Sequence, residues 1–208
     1  MQQFSLSANI EEGLSKNFQY IVTPNARDVA SGLVDGYRTG IHSFTIIGSY
    51  GTGKSSFLLA LEKDLQSKGS YSLLNPQTLS ANAKFEVLKI VGDYKDLVSL
   101  MRDKLSVDGT ADNVLDRLRE IYNQAKKQGK FLVIFIDEFG KVLEHAAKNN
   151  PEQELYFMQK LAEFVNVSTR QILLVTTLHQ NFSAYARKLS ALQKEEWTKV
   201  KGRFKELV

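Results

Sequence analysis

The stretch FTIIGSYGTGKS, from Phe44 to Ser55, decides the fold of this 208-residue chain. Its first four residues are apolar or β-branched and predict a buried strand. The next eight residues match the pattern G-x-x-x-x-G-K-[ST] in full, and apolar residues at helical spacing follow them. This context of strand, glycine-rich loop and helix predicts a phosphate-binding loop (P-loop). The alternative, a chance match in a surface loop, does not explain the flanking strand and helix.

The chemistry of a P-loop assigns a role to each part of it. The backbone amides turn inward around phosphate groups, and the start of the helix adds partial positive charge. Lys54 is predicted to reach the β- and γ-phosphates, and the Ser55 hydroxyl to ligate magnesium. The residues predicted to bind the nucleotide are Gly48, Ser49, Tyr50, Gly51, Thr52, Gly53, Lys54, Ser55 and Ser56.

A second apolar run ends in two acidic residues. Residues 131–136, FLVIFI, predict a strand that is buried on both faces, and Asp137 and Glu138 follow it. This is the Walker B form, in which Asp137 binds magnesium and Glu138 orients and deprotonates the attacking water. The alternative is that both acids only cap the helix that follows.

Other motifs separate the classes of P-loop protein. Residues 137–140 also satisfy the D-x-x-G pattern of GTPases, but the chain has no Asn-Lys-x-Asp motif for guanine and no Leu-Ser-Gly-Gly-Gln signature. The ATPase branch remains, in which an additional strand lies between the P-loop strand and the Walker B strand. Residues 172–176 are the expected strand. Thr176 and Thr177, with Gln180 or Asn181 just beyond, are candidate γ-phosphate sensors, although threonines at a strand end are often structural.

The periodicity of the whole chain predicts an α/β fold, a P-loop NTPase three-layer sandwich with a mostly parallel central sheet and a short helical C-terminal extension. The expected ATPase core spans residues 1–182, with an N-terminal arm at 1–19. A basic helical extension spans 183–208, as the start of a lid or of a longer protein. Predicted strands are 44–47, 71–74, 84–91 (ambiguous with helix), 131–136 and 172–176; predicted helices are 25–38, 54–67, 94–105, 112–128 and 152–165.

Composition and charge exclude several classes of function. The absence of cysteine excludes disulfides, thiol nucleophiles and cysteine-rich zinc sites, and the three histidines show no metal-ligand spacing. No signal peptide or run long enough to cross a bilayer is present, so we expect a cytoplasmic protein that does not enter a membrane. Residues 186–208 carry seven basic and three acidic side chains. This segment predicts contact with DNA or an acidic partner, or else a solvated helix face.

The chain resembles the AAA+ and STAND group of P-loop ATPases over about residues 20–177. Three stretches more narrowly resemble the N-terminal ATPase domain of large bacterial phage-defence ATPases such as those of BREX systems. They are YIVTP at 20–24, GSYGTGKSSF at 48–57, and LHQNF at 178–182 together with EWTKVKGRF at 196–204.

The resemblance implies ATP and Mg²⁺ as cofactors, and either self-association or other subunits of a defence complex as partners. Residues 20–25 would lie against the adenine, although a helix cap packed on the sheet explains them equally well. Arg203 would be an arginine finger for a neighbouring subunit, with Arg187 and Arg170 as alternatives. The sensor asparagine common in AAA+ proteins is not evident. The residues assigned catalytic roles are Lys54, Glu138, Thr177 and Arg203.

The implied function is a Mg²⁺-dependent ATPase that powers or gates a larger bacterial assembly, in defence against phage. A nucleotide switch without hydrolysis and a DNA-binding ATPase are the alternatives. The apolar residues at the carboxyl terminus, Phe204, Leu207 and Val208, lead us to expect a fragment of a longer protein.

Overall fold

A computed structural model of the protein describes residues 9–12, 18–66, 70–167 and 169–208. In these ranges strands and helices alternate along the chain, with a 3₁₀ turn at Pro76–Thr78. The predicted N-terminal arm lies largely outside the described residues. The strands are β1 (Ser43–Ile47), β2 (Phe85–Val91), β3 (Phe131–Asp137), β4 (Ile172–Leu178) and β5 (Lys205–Leu207); the helices are α1 (Pro24–Arg38), α2 (Lys54–Gln66), α3 (Leu97–Leu105), α4 (Ala111–Lys127), α5 (Phe139–Lys148), α6 (Pro151–Val165), α7 (Phe182–Tyr185) and α8 (Ala191–Lys201).

The five strands form one sheet in the order β2-β3-β4-β1-β5, and every neighbouring pair is parallel. The strand β4 pairs with β3 on one side and with β1 on the other. The predicted additional strand between the P-loop strand and the Walker B strand is therefore confirmed. Because the strands are parallel, the loops that follow β1, β3 and β4 lie at the same edge of the sheet.

Helices cover both faces of this sheet. Along β3 the side chains of Phe131, Val133 and Phe135 pack in a cluster with α1 and α2. The alternate side chains, from Leu132 to Ile136, pack in a second cluster with α3 to α8. All seven residues of β3 are buried, as its continuous apolar run predicts. The predicted three-layer α/β sandwich is confirmed.

Side chains cap the starts of two helices, and the predicted cap at Thr23 with Pro24 in the first helical position is confirmed. Thr23 accepts a hydrogen bond from the Ala26 amide at 3.2 Å, so α1 begins at Pro24. The carboxylate of Asp96 accepts from the Ser99 amide at 2.7 Å, so α3 begins three residues after its predicted start. The residues between β2 and α3 form a loop.

The strand predicted at 71–74 is wrong. This segment follows α2 as an irregular loop, and Ser72 has a φ of 56°. The fully buried Asp64 accepts hydrogen bonds from the amides of Tyr71 and Leu73, at 2.5 and 2.7 Å. The carboxylate thus takes the amide groups that a strand would offer to its neighbour. The ambiguous segment at 84–91, by contrast, is the strand β2.

The segment 183–208 contains the expected helix α8, but it also supplies β5 to the sheet. The Trp197 indole is buried and donates a hydrogen bond to the Phe182 carbonyl at 2.9 Å. Phe204 packs in the same core cluster as the helices α3 to α8. This segment is therefore packed into the core of the described structure. Over the described ranges, none of the helices is long and apolar enough to cross a membrane.

Candidate functional site

The P-loop connects the end of β1 with the start of α2. Gly51 and Gly53 adopt positive φ angles of 78° and 85°, which a residue with a β-carbon rarely adopts. The Gly53 carbonyl then accepts from the Phe57 amide at 2.8 Å, in the first turn of α2. At the other end, the Gly48 amide donates to the Leu178 carbonyl at 3.1 Å and joins the loop to the end of β4. The loop is thus fixed at both ends beside the strand β4.

Lys54 lies within this loop and close to the acidic residues after β3. Its Nζ donates to the carbonyls of Gly48 and Ser49, at 2.6 and 3.0 Å. Burial lowers the pKa of Lys54, whereas the negative charges of Glu138 and Asp137 act to raise it. Because β1, β4 and β3 are parallel neighbours, the P-loop and the predicted Walker B pair lie at the same edge of the sheet, and their charges interact.

A single hydroxyl group joins Asp137, Glu138 and Thr177. The Thr177 Oγ1 donates to Asp137 Oδ1 at 2.6 Å and accepts from the Glu138 amide at 3.0 Å. The Glu138 amide also lies 3.0 Å from Asp137 Oδ1. Thr177 and Asp137 are both buried. Thr177, one of the two sensor candidates, therefore holds the acidic pair in position.

The side chain of Thr176, the other sensor candidate, contacts β1. Its Oγ1 lies 2.9 Å from Thr45 Oγ1 and 3.2 Å from the Phe44 carbonyl, inside the sheet. The fully buried hydroxyl thus binds β4 to β1. Asn181 caps α7 through a hydrogen bond from the Ala184 amide at 2.9 Å. These contacts are structural.

Glu138 occupies a backbone conformation that is unusual for a residue with a side chain. Its φ is 53°, in the left-handed region. Gly92, at the end of β2, makes this conformation possible, because a β-carbon there would lie 2.5 Å from the Glu138 carbonyl oxygen. The Gly92 amide donates to the Asp137 carbonyl at 2.7 Å. The Glu138 carboxylate itself is about one-third exposed and lies 3.7 Å from Lys141 Nζ.

His179 is a residue of this site that the sequence analysis missed. It follows β4 and stacks on the Tyr50 ring of the P-loop, with 4.6 Å between ring centres. Its Nδ1 lies 3.0 Å from the Tyr185 hydroxyl, and its Nε2 lies 3.8 Å from a Glu144 carboxylate oxygen. No motif marks a lone histidine. The stretch LHQNF, noted above only for its resemblance, was the available signal.

A second part of the site lies on the other side of the P-loop. A cavity of about 240 Å³ adjoins Gly48, Gly53 and Lys54 and is lined on its far side by Tyr20 and Asn25. The segment 20–25, predicted to lie against the adenine, therefore borders a cavity that reaches the P-loop.

The structure does not bring Arg203 to the P-loop of its own chain. This residue precedes β5, at the edge of the sheet opposite the P-loop, and its Nη2 lies 2.8 Å from Glu163 Oε1. Arg170 precedes β4 at the same distant edge, and its guanidinium donates to the Phe164 carbonyl. Arg187 follows α7 and is exposed. The roles predicted for all three arginines remain predictions.

The residues that could hold magnesium are few. Among the described residues, no group of three or more His, Asp or Glu side chains could hold a metal ion. Magnesium in nucleotide sites is usually held by one or two protein oxygens, phosphate oxygens and water. Ser55 and Asp137 could supply these protein oxygens. A site made only of protein ligands would not fit this kind of coordination.

Comparison with known structures shows the fold. The Aeropyrum pernix ORC2 protein matches 93% of this chain and 50% of its own, with 15% identity and a TM-score of 0.51. PCH-2 of C. elegans matches 88% of this chain and 42% of its own, with 14% identity and a TM-score of 0.47. Cdc6p of Pyrobaculum aerophilum matches 93% of this chain and 48% of its own, with 15% identity and a TM-score of 0.45. The chain thus spans about half the length of these proteins or less.

Comparison with sequences shows the family. None of the curated proteins matches the chain. The model of the family described as Novel STAND NTPase 1 (nSTAND1) matches residues 27–201, which include the P-loop, both acidic residues and β4. The chain belongs to this family of STAND NTPases and is a nucleotide-binding, NTPase-like domain.

Proposed function

We propose that the domain binds ATP with Mg²⁺ and hydrolyses it. The observation that carries the proposal is the arrangement of Asp137, Thr177 and Glu138 next to Lys54. A phosphate-binding lysine, a buried aspartate and a more exposed glutamate are the groups that phosphoryl transfer to water requires.

Each of these residues has one role in the proposed reaction. Lys54 leaves the loop carbonyls and donates to the β- and γ-phosphates of ATP. Glu138 orients a water molecule towards the γ-phosphorus and accepts its proton, and its exposed carboxylate can reach water. Thr177 positions both acids. Ser55 and Asp137 would hold Mg²⁺, which neutralises charge on the phosphates.

ATP is preferred to GTP in this proposal for two reasons. The chain lacks the guanine-reading motif of GTPases. The cavity beside the P-loop provides Tyr20 and Asn25 as walls for a base. Nothing in this preference depends on a residue far from the P-loop.

The hydrolysis is proposed to power or gate a larger bacterial assembly in the cytoplasm, in defence against phage. Its support is the resemblance of the stretches at 20–24, at 48–57, and at 178–182 together with 196–204 to the ATPase domains of such systems. An arginine from another subunit would complete the site. Because Arg203 is paired with Glu163, the exposed Arg187 is also a candidate for this role.

A nucleotide switch without hydrolysis is the second candidate. The ion pair between Glu138 and Lys141 favours it, because a carboxylate that is attracted to a lysine is less available to a water molecule. In that case nucleotide binding alone changes the conformation. Replacement of Glu138 would then leave the behaviour of the protein unchanged.

The test is to measure binding and hydrolysis of ATP and GTP, with and without Mg²⁺, over a range of protein concentrations. Lys54→Ala should abolish binding, and Glu138→Gln should retain binding but lose turnover. The exposed Glu195→Gln is a control of matched charge. ATP-specific turnover that rises with concentration supports an ATPase completed by a neighbour. Binding without turnover supports the switch, and no binding overturns the proposal.

Contact with DNA through residues 186–208 is a third candidate. Several of its cations already have partners, since Lys199, Lys201 and Arg203 lie within 4 Å of acidic side chains. Arg187, Lys188 and Lys194 are exposed. If DNA binds here, reversing these charges should weaken binding, and the affinity of the unaltered chain should fall steeply with salt.

A further inference from the structure

A large cavity lies apart from the P-loop and has no role in the proposed hydrolysis. Its volume is about 710 Å³, and residues at the starts of α3, α4 and α6 and at the end of α5 line it. This volume is within the range of small-molecule sites, roughly 300 to 1,000 Å³. None of its lining residues belongs to the P-loop, the acidic pair or β4.

The wall of this cavity is negatively charged. Its described lining residues include the carboxylates of Asp96, Glu152 and Glu154, and they include no lysine or arginine. His145 and Tyr156 are the other titratable groups of the wall. Lys148, at the end of α5, lies 5.2 Å from the centre of the Tyr94 ring. The wall therefore repels anions and attracts cations.

Glu154 is the most informative of these carboxylates because it is 6% exposed. Its Oε2 accepts from the Leu97 amide at 3.2 Å. Burial raises the pKa of Glu154 to about 7, and the negative charge of Asp96 adds to this effect. Above that pH the protein holds a nearly buried negative charge without a counter-ion, which is costly.

The rest of the wall combines apolar surface with the amide side chains of Asn149, Asn150 and Gln153. Val98 and Ala111 contribute aliphatic surface, and Tyr156 contributes an aromatic ring and is 57% exposed. The Tyr156 ring already attracts one cation, because Lys160 Nζ lies 5.4 Å from its centre. Apolar surface beside a buried carboxylate matches a ligand with a positively charged group on an apolar stem.

We propose that this cavity binds a small organic cation, with an ammonium or guanidinium group paired with Glu154 and an aliphatic stem against Val98 and Tyr156. A guanidinium group can donate to the Glu154 carboxylate. The site is independent of the nucleotide, so its test does not depend on ATP hydrolysis.

The experiment is calorimetric titration of the chain with butylguanidinium at about pH 8. Butylurea, which has nearly the same shape but no charge, is the ligand control. Glu154→Gln removes the proposed counter-ion, and Glu195→Gln removes the same charge at an exposed residue that does not line the cavity. We expect binding of butylguanidinium that weakens at least about tenfold in Glu154→Gln and with butylurea, and changes less than about twofold in Glu195→Gln.

Two results would overturn the proposal: no binding of butylguanidinium to the unaltered chain, or binding that Glu154→Gln leaves unchanged. If Glu154→Gln does not fold, the pH dependence of the unaltered chain gives the answer. Lowering the pH to about 5.5 protonates Glu154 and should weaken binding about tenfold. An affinity that stays constant over this range would also overturn the proposal.

Discussion

Thr177 illustrates how a single side chain organises the acidic residues of the site. Its hydroxyl donates a hydrogen bond to Asp137 and accepts one from the Glu138 amide. The first of these interactions is buried and the second is partly buried, where hydrogen bonds are strong and unpaired groups are costly. Threonine at the end of a strand is common, so the sequence indicated a candidate here and not the network. Thr177 contacts both acids, and its role as a phosphate sensor stays a prediction.

Replacing Thr177 with valine tests this positioning role. Valine keeps the shape but leaves an oxygen of Asp137 and the Glu138 amide without this partner. We expect a loss of about 1–3 kcal/mol of stability and about 10- to 100-fold slower ATP turnover, with nucleotide binding retained. Thr177→Ser keeps the hydroxyl and should restore turnover. Equal activity of the valine and serine variants would contradict the role.

The second prediction at this scale concerns Glu154 and pH. Its folded-state pKa of about 7 exceeds the unfolded value of 4.5, so the folded chain holds the proton more tightly. Glu154 should therefore contribute most to the free energy of unfolding below about pH 4.5. This contribution should fall by up to about 3 kcal/mol as the pH rises to 7. Denaturant unfolding at several pH values measures this loss. Glu154→Gln should remove most of this slope, whereas Glu195→Gln should retain it.

At the scale of elements, the site depends on close approach between the ends of neighbouring strands. The end of β2 contacts the turn between β3 and α5 through Gly92. The sequence predicted both strands, but it did not predict this contact, because strand order and register are properties of the tertiary structure. The sequence also did not predict the left-handed backbone conformation of Glu138.

Gly92→Ala should disturb this contact. The added β-carbon would lie 2.5 Å from a backbone oxygen, so the turn at Glu138 must shift. We expect a loss of about 1–3 kcal/mol of stability and a marked fall in ATP turnover. Gly202→Ala is the matched control, since its nearest neighbour would be 3.4 Å away. Comparable losses in both variants would show that the contact at Gly92 has no special effect.

The elements that sequence analysis predicted well share a strong local pattern. The run at 131–136 and the P-loop specify a strand and a strand-loop-helix unit without help from the rest of the chain. The segment at 71–74 has a similar apolar character, but Asp64 binds its amides from a neighbouring helix. The strand β5 has only three residues, two of them charged, and it forms because it pairs with β1. Such long-range effects leave little trace in a short stretch of sequence.

At the scale of the molecule, residues 183–208 are part of the packed structure. Trp197, Val200 and Phe204 lie in the same cluster as helices from the middle of the chain. The segment also completes the sheet next to the P-loop strand. Its basic charge and its packing are therefore separate properties, and a variant can change one without the other.

Two alanine substitutions on α8 test the packing and leave the charge unchanged. Trp197 is 1% exposed, and Leu192 on the same helix is 76% exposed. Trp197→Ala should cost about 3–5 kcal/mol, and Leu192→Ala less than about 0.5 kcal/mol. Thermal or denaturant unfolding of both variants measures the difference. Similar stability of the two variants would show that the segment contributes little to the core.

The strand order β2-β3-β4-β1-β5 has a consequence for the synthesis of the protein. Of the five described strands, the P-loop strand is the first to be made, but its two neighbours, β4 and β5, are the last. During translation both edges of β1 therefore stay unpaired while more than a hundred further residues are added. An apolar strand in this state can pair with another nascent chain. Newly made chains thus have a period in which the native sheet does not yet protect the strand that leads into the P-loop.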